Sequence, residues 1–296
     1  MKKFEVVLPS RFNATTALGV IDALLDKQRR PKANEVVFDF GELEWITPTG
    51  VTCFSNLIEW LMSQGVECQF QDFLPITEVC RYLDDSGFFE IYLGARIISR
   101  SQVRNTTVPL KRVRHSESHA FLDLELLPWM MGRLNMNRAS LADIQTSIQE
   151  IFNNILDHST QQIGCVYGQH FPHKNIISFA VADFGIGIPA AMARIGSYAD
   201  DGAAILEASK EGVTSQGSAR NMGAGLDILI RNVVGRNRGN LTIRSSHGRL
   251  LCRPNYQGVI KTSDAFSGFY PGTLIDIELR TDTIERVEDT REDLEW

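Results

Sequence analysis

One predicted helix, from Leu141 to Asp157, constrains the second half of the chain more than any other segment. Its apolar residues recur at intervals of three and four, so they form one face that must pack against other structure. A second, polar face carries Glu150 and Asn154 one helical turn apart. Such a pair is most often simply solvated, so the helix alone does not identify a site. The apolar face consists of Leu141, Ile144, Ile148, Ile151 and Ile155.

Strands and a second helix follow in an order typical of a layered fold. Apolar runs rich in β-branched residues predict strands at Gly164–His170 and Ile176–Phe184, and later at Asn240–Ser245 and Thr273–Leu279. A helix is predicted between the two pairs, from about Gly223 to Val234. Helices that precede and interrupt a sheet in this way predict a two-layer α/β sandwich.

The beginning of the chain alternates strand-like and helix-like segments. Strands are predicted at Phe4–Leu8, Glu35–Phe40 and Val66–Phe70. A helix between the last two strands has an apolar stripe at helical spacing. This alternation predicts a small α/β domain. The stripe consists of Val51, Phe54, Leu57, Ile58, Leu61 and Met62.

These patterns divide the chain into four segments. Residues 1–100 form the small α/β domain and residues 138–282 the sandwich. Residues 101–137 are predicted to be a connecting helical segment. It contains a basic run, Lys111–Arg114, which is interpreted as a solvated face or a domain contact. Residues 283–296 are predicted to be a loose polar tail.

Length and composition agree with two folded domains in a reducing compartment. The 296 residues are enough for about two domains. There are 30 Lys and Arg against 36 Asp and Glu, a net charge of −6, which argues against general binding of nucleic acid or anionic membranes. The five cysteines are an odd number without a C-x-x-C pair, so we expect free thiols. No apolar run approaches the roughly 20 residues that span a bilayer. A cytoplasmic protein is expected.

Glycines mark three places where the backbone can come close to a ligand. Asp183-Phe-Gly-Ile-Gly187 follows a predicted strand, and a carboxylate at a strand end can accept a hydrogen bond from an exocyclic amine. A tight turn with an Asp cap is the alternative. Gly223-Ala-Gly225-Leu226 opens a predicted helix, where free N–H groups can bind an anion, although glycines there can also serve close packing. Thr273 follows Gly272 at the start of the last strand.

In this order and at these intervals, four segments resemble the nucleotide-binding boxes of the GHKL (Bergerat-fold) ATPase superfamily. That superfamily includes DNA gyrase, mismatch-repair ATPases, sensor histidine kinases and anti-sigma-factor kinases. The resemblance covers about Ala139 to Arg280, roughly half of the chain, and ordered boxes are much rarer by chance than a single one. The matching segments are Glu150–Asn154, Asp183–Gly187, Gly223–Leu226 and Gly272–Thr273.

The resemblance implies a role for each matched residue. Glu150 would position or deprotonate the attacking water or hydroxyl, and Asn154 would bind a Mg²⁺ ion that bridges the phosphates. Asp183, supported by Thr273, would bind adenine. The glycines are implied as the backbone walls of the nucleotide site. Gly185 and Gly187 would shape the adenine pocket, whereas Gly223, Gly225 and Leu226 belong to the box that meets the phosphates. The residues between Pro189 and Gly223, among them Ser215, Ser218, Arg220 and Asn221, occupy the place of the family's ATP lid.

The N-terminal domain resembles the STAS domain of anti-sigma-factor antagonists. Val36–Phe40 and Leu43–Gly50 match that family's central strand, loop and following helix start. Antagonists carry a phosphorylatable Ser just before the Gly, where this chain has Thr49, and Thr47 replaces the usual acidic residue. Thr49 is therefore a candidate phosphoacceptor, with the alternative that it caps the helix that begins near Gly50.

Two functions of different classes are compatible with these motifs. In the first, the chain is an enzyme that binds Mg²⁺ and ATP, and either hydrolyses ATP or transfers its γ-phosphate to a Ser or Thr of a STAS-type partner. In the second, it is a nucleotide-gated protein-interaction module with little or no turnover. Both imply a regulatory protein partner or self-association, and neither calls for a specific nucleic acid or a membrane.

Overall fold

The computed structural model describes residues 2–26, 28–158, 163–213 and 225–288, except for the side chains of residues 115, 154–158 and 163. These residues form a mixed α/β structure with two hydrophobic cores, one mainly N-terminal and one C-terminal. None of the helices in these ranges combines the length and the apolar character that crossing a bilayer requires.

Alternating strands and helices build an N-terminal unit, as the sequence predicts. The elements are β1 (Lys3–Val7), β2 (Arg11–Phe12), α1 (Thr16–Leu24), β3 (Glu35–Asp39), β4 (Trp45–Ile46), α2 (Pro48–Ser63), β5 (Glu67–Gln71), α3 (Glu78–Asp85) and α4 (Phe88–Leu93). A parallel sheet has the order β1-β3-β5, and β2 pairs in parallel with β4. All three predicted strands lie within a residue of their expected positions.

The apolar stripe of α2 packs on this parallel sheet. The ring of Phe54 lies edge-on to that of Phe38 in β3, with 5.0 Å between the centroids. Met62 is 52% exposed, so its inclusion in the stripe was wrong. The other five predicted members are buried because they share the face of the helix that meets the sheet. These are Val51, Phe54, Leu57, Ile58 and Leu61.

The N-cap of α2 is Thr47, which corrects the interpretation of Thr49 as the cap. The Gly50 N–H donates to Thr47 Oγ1 over 3.0 Å. The helix begins at Pro48, a residue that tolerates the first helical turn because it needs no hydrogen-bond acceptor there. Thr49 therefore lies inside the helix and its hydroxyl is available for another contact.

A C-terminal unit is built around an antiparallel sheet. Its elements are β6 (Thr107–Arg114), α5 (His115–Phe121), α6 (Leu127–Leu134), α7 (Ala142–His158), β7 (Ile163–Phe171), β8 (Ile176–Asp183), α8 (Ile188–Met192), α9 (Asp201–Ala208), α10 (Gly225–Ile230), β9 (Asn240–Asn255) and β10 (Gly258–Arg280). The strand order is β6-β7-β8-β10-β9 and each neighbouring pair is antiparallel. A π-helical turn, Arg231–Arg236, continues α10. The long helix α7 packs against α10 on one face of this sheet.

Segment 101–137 differs from the connecting helical segment that its loose pattern predicts. It contributes β6 to the edge of the antiparallel sheet. The register shifts between Val108 and Lys111, and this irregularity breaks the alternation by which a strand is recognised in sequence. The helices that follow bury Phe121 and Leu127 in the same core as α7. This segment is therefore part of the C-terminal unit.

The last two strands extend far beyond their predicted bounds, Asn240–Ser245 and Thr273–Leu279. β9 and β10 continue as a long antiparallel hairpin that closes between Asn255 and Gly258. Register shifts on both sides of Tyr270 interrupt the pairing. These shifts, together with many polar residues, hide the period of two on which the prediction of strands depends.

Part of the predicted polar tail is attached to the C-terminal unit. The Val287 N–H donates to Ser140 Oγ over 2.9 Å, and Asn137 Nδ2 donates to the Val287 carbonyl oxygen over 2.7 Å. Residues 289–296 of the predicted tail lie outside the described residues.

A polar stripe on α2 joins the two units. It lies opposite the apolar stripe and contacts the face of the antiparallel sheet that α7 does not cover. Thr49, Thr52, Ser55 and Asn56 form this stripe, and all four are buried. Their partners in the C-terminal unit are Asp276 Oδ1 (2.9 Å), the Ala180 carbonyl oxygen (3.5 Å), Cys165 Sγ (3.3 Å) and Tyr270 OH (3.3 Å). α2 thus packs on its own sheet with one side and on the second sheet with the other.

Candidate functional site

Asp183 ends β8 on the face of the antiparallel sheet that α7 covers. Side chains alternate along a strand, so every second residue of β8 belongs to the core beneath α7. Asp183 is 3% exposed, and burial raises the pKa of its carboxyl to about 7. The backbone N–H groups of Gly185 and Thr273 oppose this rise by donating to the carboxylate. The β8 residues in the core are Ile177, Phe179 and Val181.

The strand register brings three polar residues together at this end of the sheet. Thr273 of β10 lies opposite Asp183, and Ser245 of β9 lies opposite Thr273. The Gly185 N–H donates to Asp183 Oδ1 over 2.6 Å. Of the residues proposed from the sequence for adenine binding, Asp183, Gly185 and Thr273 are therefore neighbours.

Two glycines let the backbone segments approach each other here. Gly272 has a φ of +91°, and a Cβ at that position would lie 2.2 Å from the Asp183 carbonyl oxygen. Gly187 has a φ of +79°, and its Cβ would lie 2.6 Å from Ser245 Oγ. Gly187 therefore fits the loop after β8 against the neighbouring strands.

Ser245 is a residue of this site that the sequence analysis missed. Its side chain is fully buried. Its hydroxyl accepts from the Ile188 N–H over 2.9 Å and donates to the Gly272 carbonyl oxygen over 2.6 Å, and it lies 3.4 Å from Thr273 Oγ1. One hydroxyl thus joins the loop after β8 to both neighbouring strands. The only sequence signal for it is its place at the end of a predicted strand.

The helix α7 carries the proposed catalytic residue across the same face of the sheet. Asn232 Nδ2 donates to Ser147 Oγ over 3.1 Å, which attaches α7 to the π-helical turn after α10. Glu150 is half-buried. The side chain of Asn154, one turn further along, lies outside the described residues. The α7 residues that pack in the core with β8 are Ile144, Ile148 and Ile151.

The proposed phosphate-binding segment is described in part. Gly225 and Leu226 form the start of α10 as described, and Leu226 packs half-buried against the core beneath α7. Gly223 lies outside the described residues. So do the proposed lid residues Ser215, Ser218, Arg220 and Asn221.

Thr49 lies on the opposite side of the sheet from Asp183. It is 5% exposed, and its Oγ1 donates to Asp276 Oδ1 over 2.9 Å. On β10, Ile275 and Ile277 face α7, so Asp276 between them faces α2. The sheet therefore separates Thr49 from the Asp183 site. In the folded chain the Thr49 hydroxyl is therefore buried and hydrogen-bonded, and its role as a phosphoacceptor stays a prediction.

The site can accept a hydrogen-bond donor. A carboxylate has about four acceptor positions, so Asp183 retains capacity beyond its two backbone donors. In the described part of the chain, no three His, Cys, Asp or Glu side chains cluster closely enough to hold a metal ion. No family model matches this chain, and no curated protein matches it. Function must therefore be inferred from the residues of the site.

Proposed function

We propose that this chain is a regulatory protein of the GHKL (Bergerat) type that binds Mg²⁺ and ATP, with an N-terminal unit of the STAS type. It hydrolyses ATP or transfers the γ-phosphate to a Ser or Thr of a STAS-type partner. The observation that carries the proposal is the buried carboxylate of Asp183 at a strand end, beside Thr273 and on the face covered by the helix that bears Glu150 and Asn154.

Asp183 supplies the adenine specificity in this proposal. An exocyclic amine donates a hydrogen bond to the carboxylate, and the water-poor surroundings strengthen that bond. Thr273 is paired with Asp183 across the neighbouring strands, and in this proposal its hydroxyl contacts the same ring edge. The burial of the Asp183 carboxyl, whose pKa is raised to about 7, supports this role, because a buried polar group needs a hydrogen-bond partner to offset the loss of water.

The α7 side of the site receives the phosphates. Mg²⁺ prefers oxygen ligands and usually keeps phosphate and water in its octahedron, so one amide oxygen from Asn154 is a sufficient protein contribution. When bound, the ion neutralises part of the phosphate charge. Glu150 lies one turn before Asn154 and acts as the general base on water or on a protein hydroxyl. Gly223, Gly225 and Leu226 provide backbone near the phosphates.

The phosphoacceptor in the kinase form of this proposal belongs to another molecule. Thr49 of the same chain is buried against Asp276, on the other side of the sheet. A separate STAS-type protein can present its hydroxyl without opening this interface.

A nucleotide-gated interaction module is the second candidate function. The hydrogen-bonded polar stripe of α2 favours it. Water can replace these hydrogen bonds when the two units separate, so the separation costs less free energy than that of a purely apolar contact. In this form, nucleotide binding changes the contact between the units and turnover is negligible.

Replacing Asp183 by Asn should weaken ATP binding by roughly 10- to 150-fold, the equivalent of losing about 1.5–3 kcal/mol of a charge-assisted hydrogen bond. Isothermal titration calorimetry with Mg²⁺ and ATP measures this change. The matched control is Asp276→Asn, which alters a buried aspartate of the same sheet on its opposite face. Equal affinities of wild type and Asp183→Asn would overturn the proposal.

The carboxyl of Asp183 should also make adenosine binding by wild type depend on pH, and the same variant should remove that dependence. Because the amine donates to the ionised carboxylate, binding favours deprotonated Asp183, whose pKa is about 7 in the folded chain. Affinity for adenosine, which has no phosphate to titrate, should therefore fall as the pH is lowered through about 7. Asp183→Asn should remove this dependence. An adenosine affinity of wild type that does not change with pH would contradict the role of the carboxylate.

A further inference from the structure

A cavity of about 700 Å³ lies between the two units. Its volume is within the roughly 300–1,000 Å³ typical of sites for small molecules. The floor is the face of the antiparallel sheet opposite Asp183, and the walls are formed by β4, the first turn of α2 and α3. Charged residues on the floor are Arg244, Asp276 and Glu278, and wall residues include Trp45, Thr49 and Tyr82.

Arg244 is a buried cation that makes no direct hydrogen bond or ion pair within the described residues, although the carboxylates of Asp276 and Asp264 lie near enough to act on it electrostatically. Arg244 lies on β9 and is only 8% exposed. Burial lowers the pKa of its guanidinium and the nearby carboxylate of Asp276 partly opposes this fall, whereas direct pairing with Asp264 raises the pKa of Arg249 on the same strand. A largely buried guanidinium whose donors are not hydrogen-bonded to the described residues has free donors to offer to the cavity, so this position favours an anionic group there.

Two carboxylates lie on the same floor. Asp276 and Glu278 alternate with core residues along β10 and therefore face the cavity together. Each already accepts one hydrogen bond, Asp276 from Thr49 Oγ1 (2.9 Å) and Glu278 from Asn240 Nδ2 (2.9 Å). Carboxylates have about four acceptor positions each, so both retain capacity for a cationic donor. Neither forms an ion pair with Arg244 in the described part of the chain.

We propose that this cavity binds a small zwitterion of the amino-acid or dipeptide class. The ligand's carboxylate pairs with Arg244, and its ammonium group donates to Asp276 and Glu278. The guanidinium fork suits a planar carboxylate because it can donate two parallel hydrogen bonds. Because both units line the cavity, the ligand stabilises their contact. The site lies on the other side of the sheet from Asp183 and does not depend on the proposed nucleotide site.

Titration of the full-length protein with the common L-amino acids and their alanyl dipeptides, followed by calorimetry, tests this proposal. At least one should bind saturably with a dissociation constant below about 1 mM. Arg244→Gln should weaken it by about tenfold or more. The matched control is Arg249→Gln, a basic residue of the same strand that is paired with Asp264. Neither variant should change ATP affinity, which separates this site from the nucleotide site.

Modified ligands keep the test decisive if Arg244→Gln does not fold. The carboxamide and the N-acetyl form of the same ligand should each bind wild type more weakly than the parent ligand, by at least about tenfold. Binding of either modified form as tightly as the parent would overturn the proposal. So would the absence of saturable binding by any ligand up to about 10 mM, or undiminished binding by folded Arg244→Gln.

Discussion

Glu150→Gln should reduce ATP turnover by about 100- to 10,000-fold, the contribution typical of a general base. ATP affinity should stay within about threefold of wild type, because Asp183 and Thr273 are unchanged. Release of inorganic phosphate and calorimetry with Mg²⁺ and ATP measure the two quantities. Thr146→Ala, an exposed residue one turn earlier on the same helix, is the matched control. Equal turnover in Glu150→Gln and Thr146→Ala would mean that Glu150 is not the base.

The fate of the γ-phosphate distinguishes the kinase, the ATPase and the interaction module. Incubation with γ-labelled ATP and a STAS-type protein, followed by mass spectrometry, locates the phosphate. Label on a Ser or Thr of the partner supports the kinase, and free phosphate alone supports the ATPase. We expect no label on Thr49 of the folded chain, because its hydroxyl is buried against Asp276. ATP that stays intact with wild type and partner supports the interaction module.

Gly272→Ala should destabilise the protein by about 4 kcal/mol or more. The new Cβ would lie 2.2 Å from the Asp183 carbonyl oxygen and 2.6 Å from the Gly185 nitrogen, in a backbone with a φ of +91°. Relief is difficult because the strand register and Ser245 hold both sides of this contact. Urea unfolding followed by circular dichroism measures the loss of stability.

Gly65→Ala is the matched control for this substitution. Gly65 also has a positive φ, +77°, but no atom lies within 4 Å of the Cβ that alanine would add. Gly65→Ala should therefore lose only about 1–2 kcal/mol of stability, which is the cost of backbone strain for an alanine in this conformation. If both variants unfold at the same urea concentration, the close approach of the strands at Gly272 is not a feature of the folded protein.

Local periodicity predicted the elements that have one clear apolar face. The stripe of α2 and the apolar face of α7 were visible in the sequence, and so were β7 and β8, whose side chains are largely apolar. Asp183 was a candidate because its carboxylate lies between an apolar strand and two glycines, a moderately specific pattern, and because this segment contributes to the family resemblance. Thr273 was a candidate because it follows Gly272 at the start of a predicted strand and belongs to the same resemblance, and the strand register places it opposite Asp183.

Features that depend on pairing between distant segments were not predictable. β6 was hidden by basic residues and a register shift, and the long hairpin of β9 and β10 by further shifts and polar residues. Nothing local distinguishes Ser245 from other serines, because its role arises from three backbone segments that meet only in the folded chain. The same holds for Arg244, whose burial is created by the packing of one unit on the other.

Because α2 packs on both sheets, separating the two units would affect the polar side chains of α2 and the apolar rings of the C-terminal half differently. Residues 48–58 are all buried, so this part of the helix is covered on every side by one unit or the other. If α2 separated from the antiparallel sheet, water could replace the hydrogen-bond partners of the α2 hydroxyls. The rings of Phe184 and Tyr270, which pack in the same core as α2, would instead lose their apolar contacts. We therefore expect the C-terminal half made alone to expose these two rings to water. Synthesis from the N-terminus supplies α2 before the sheet that packs against it.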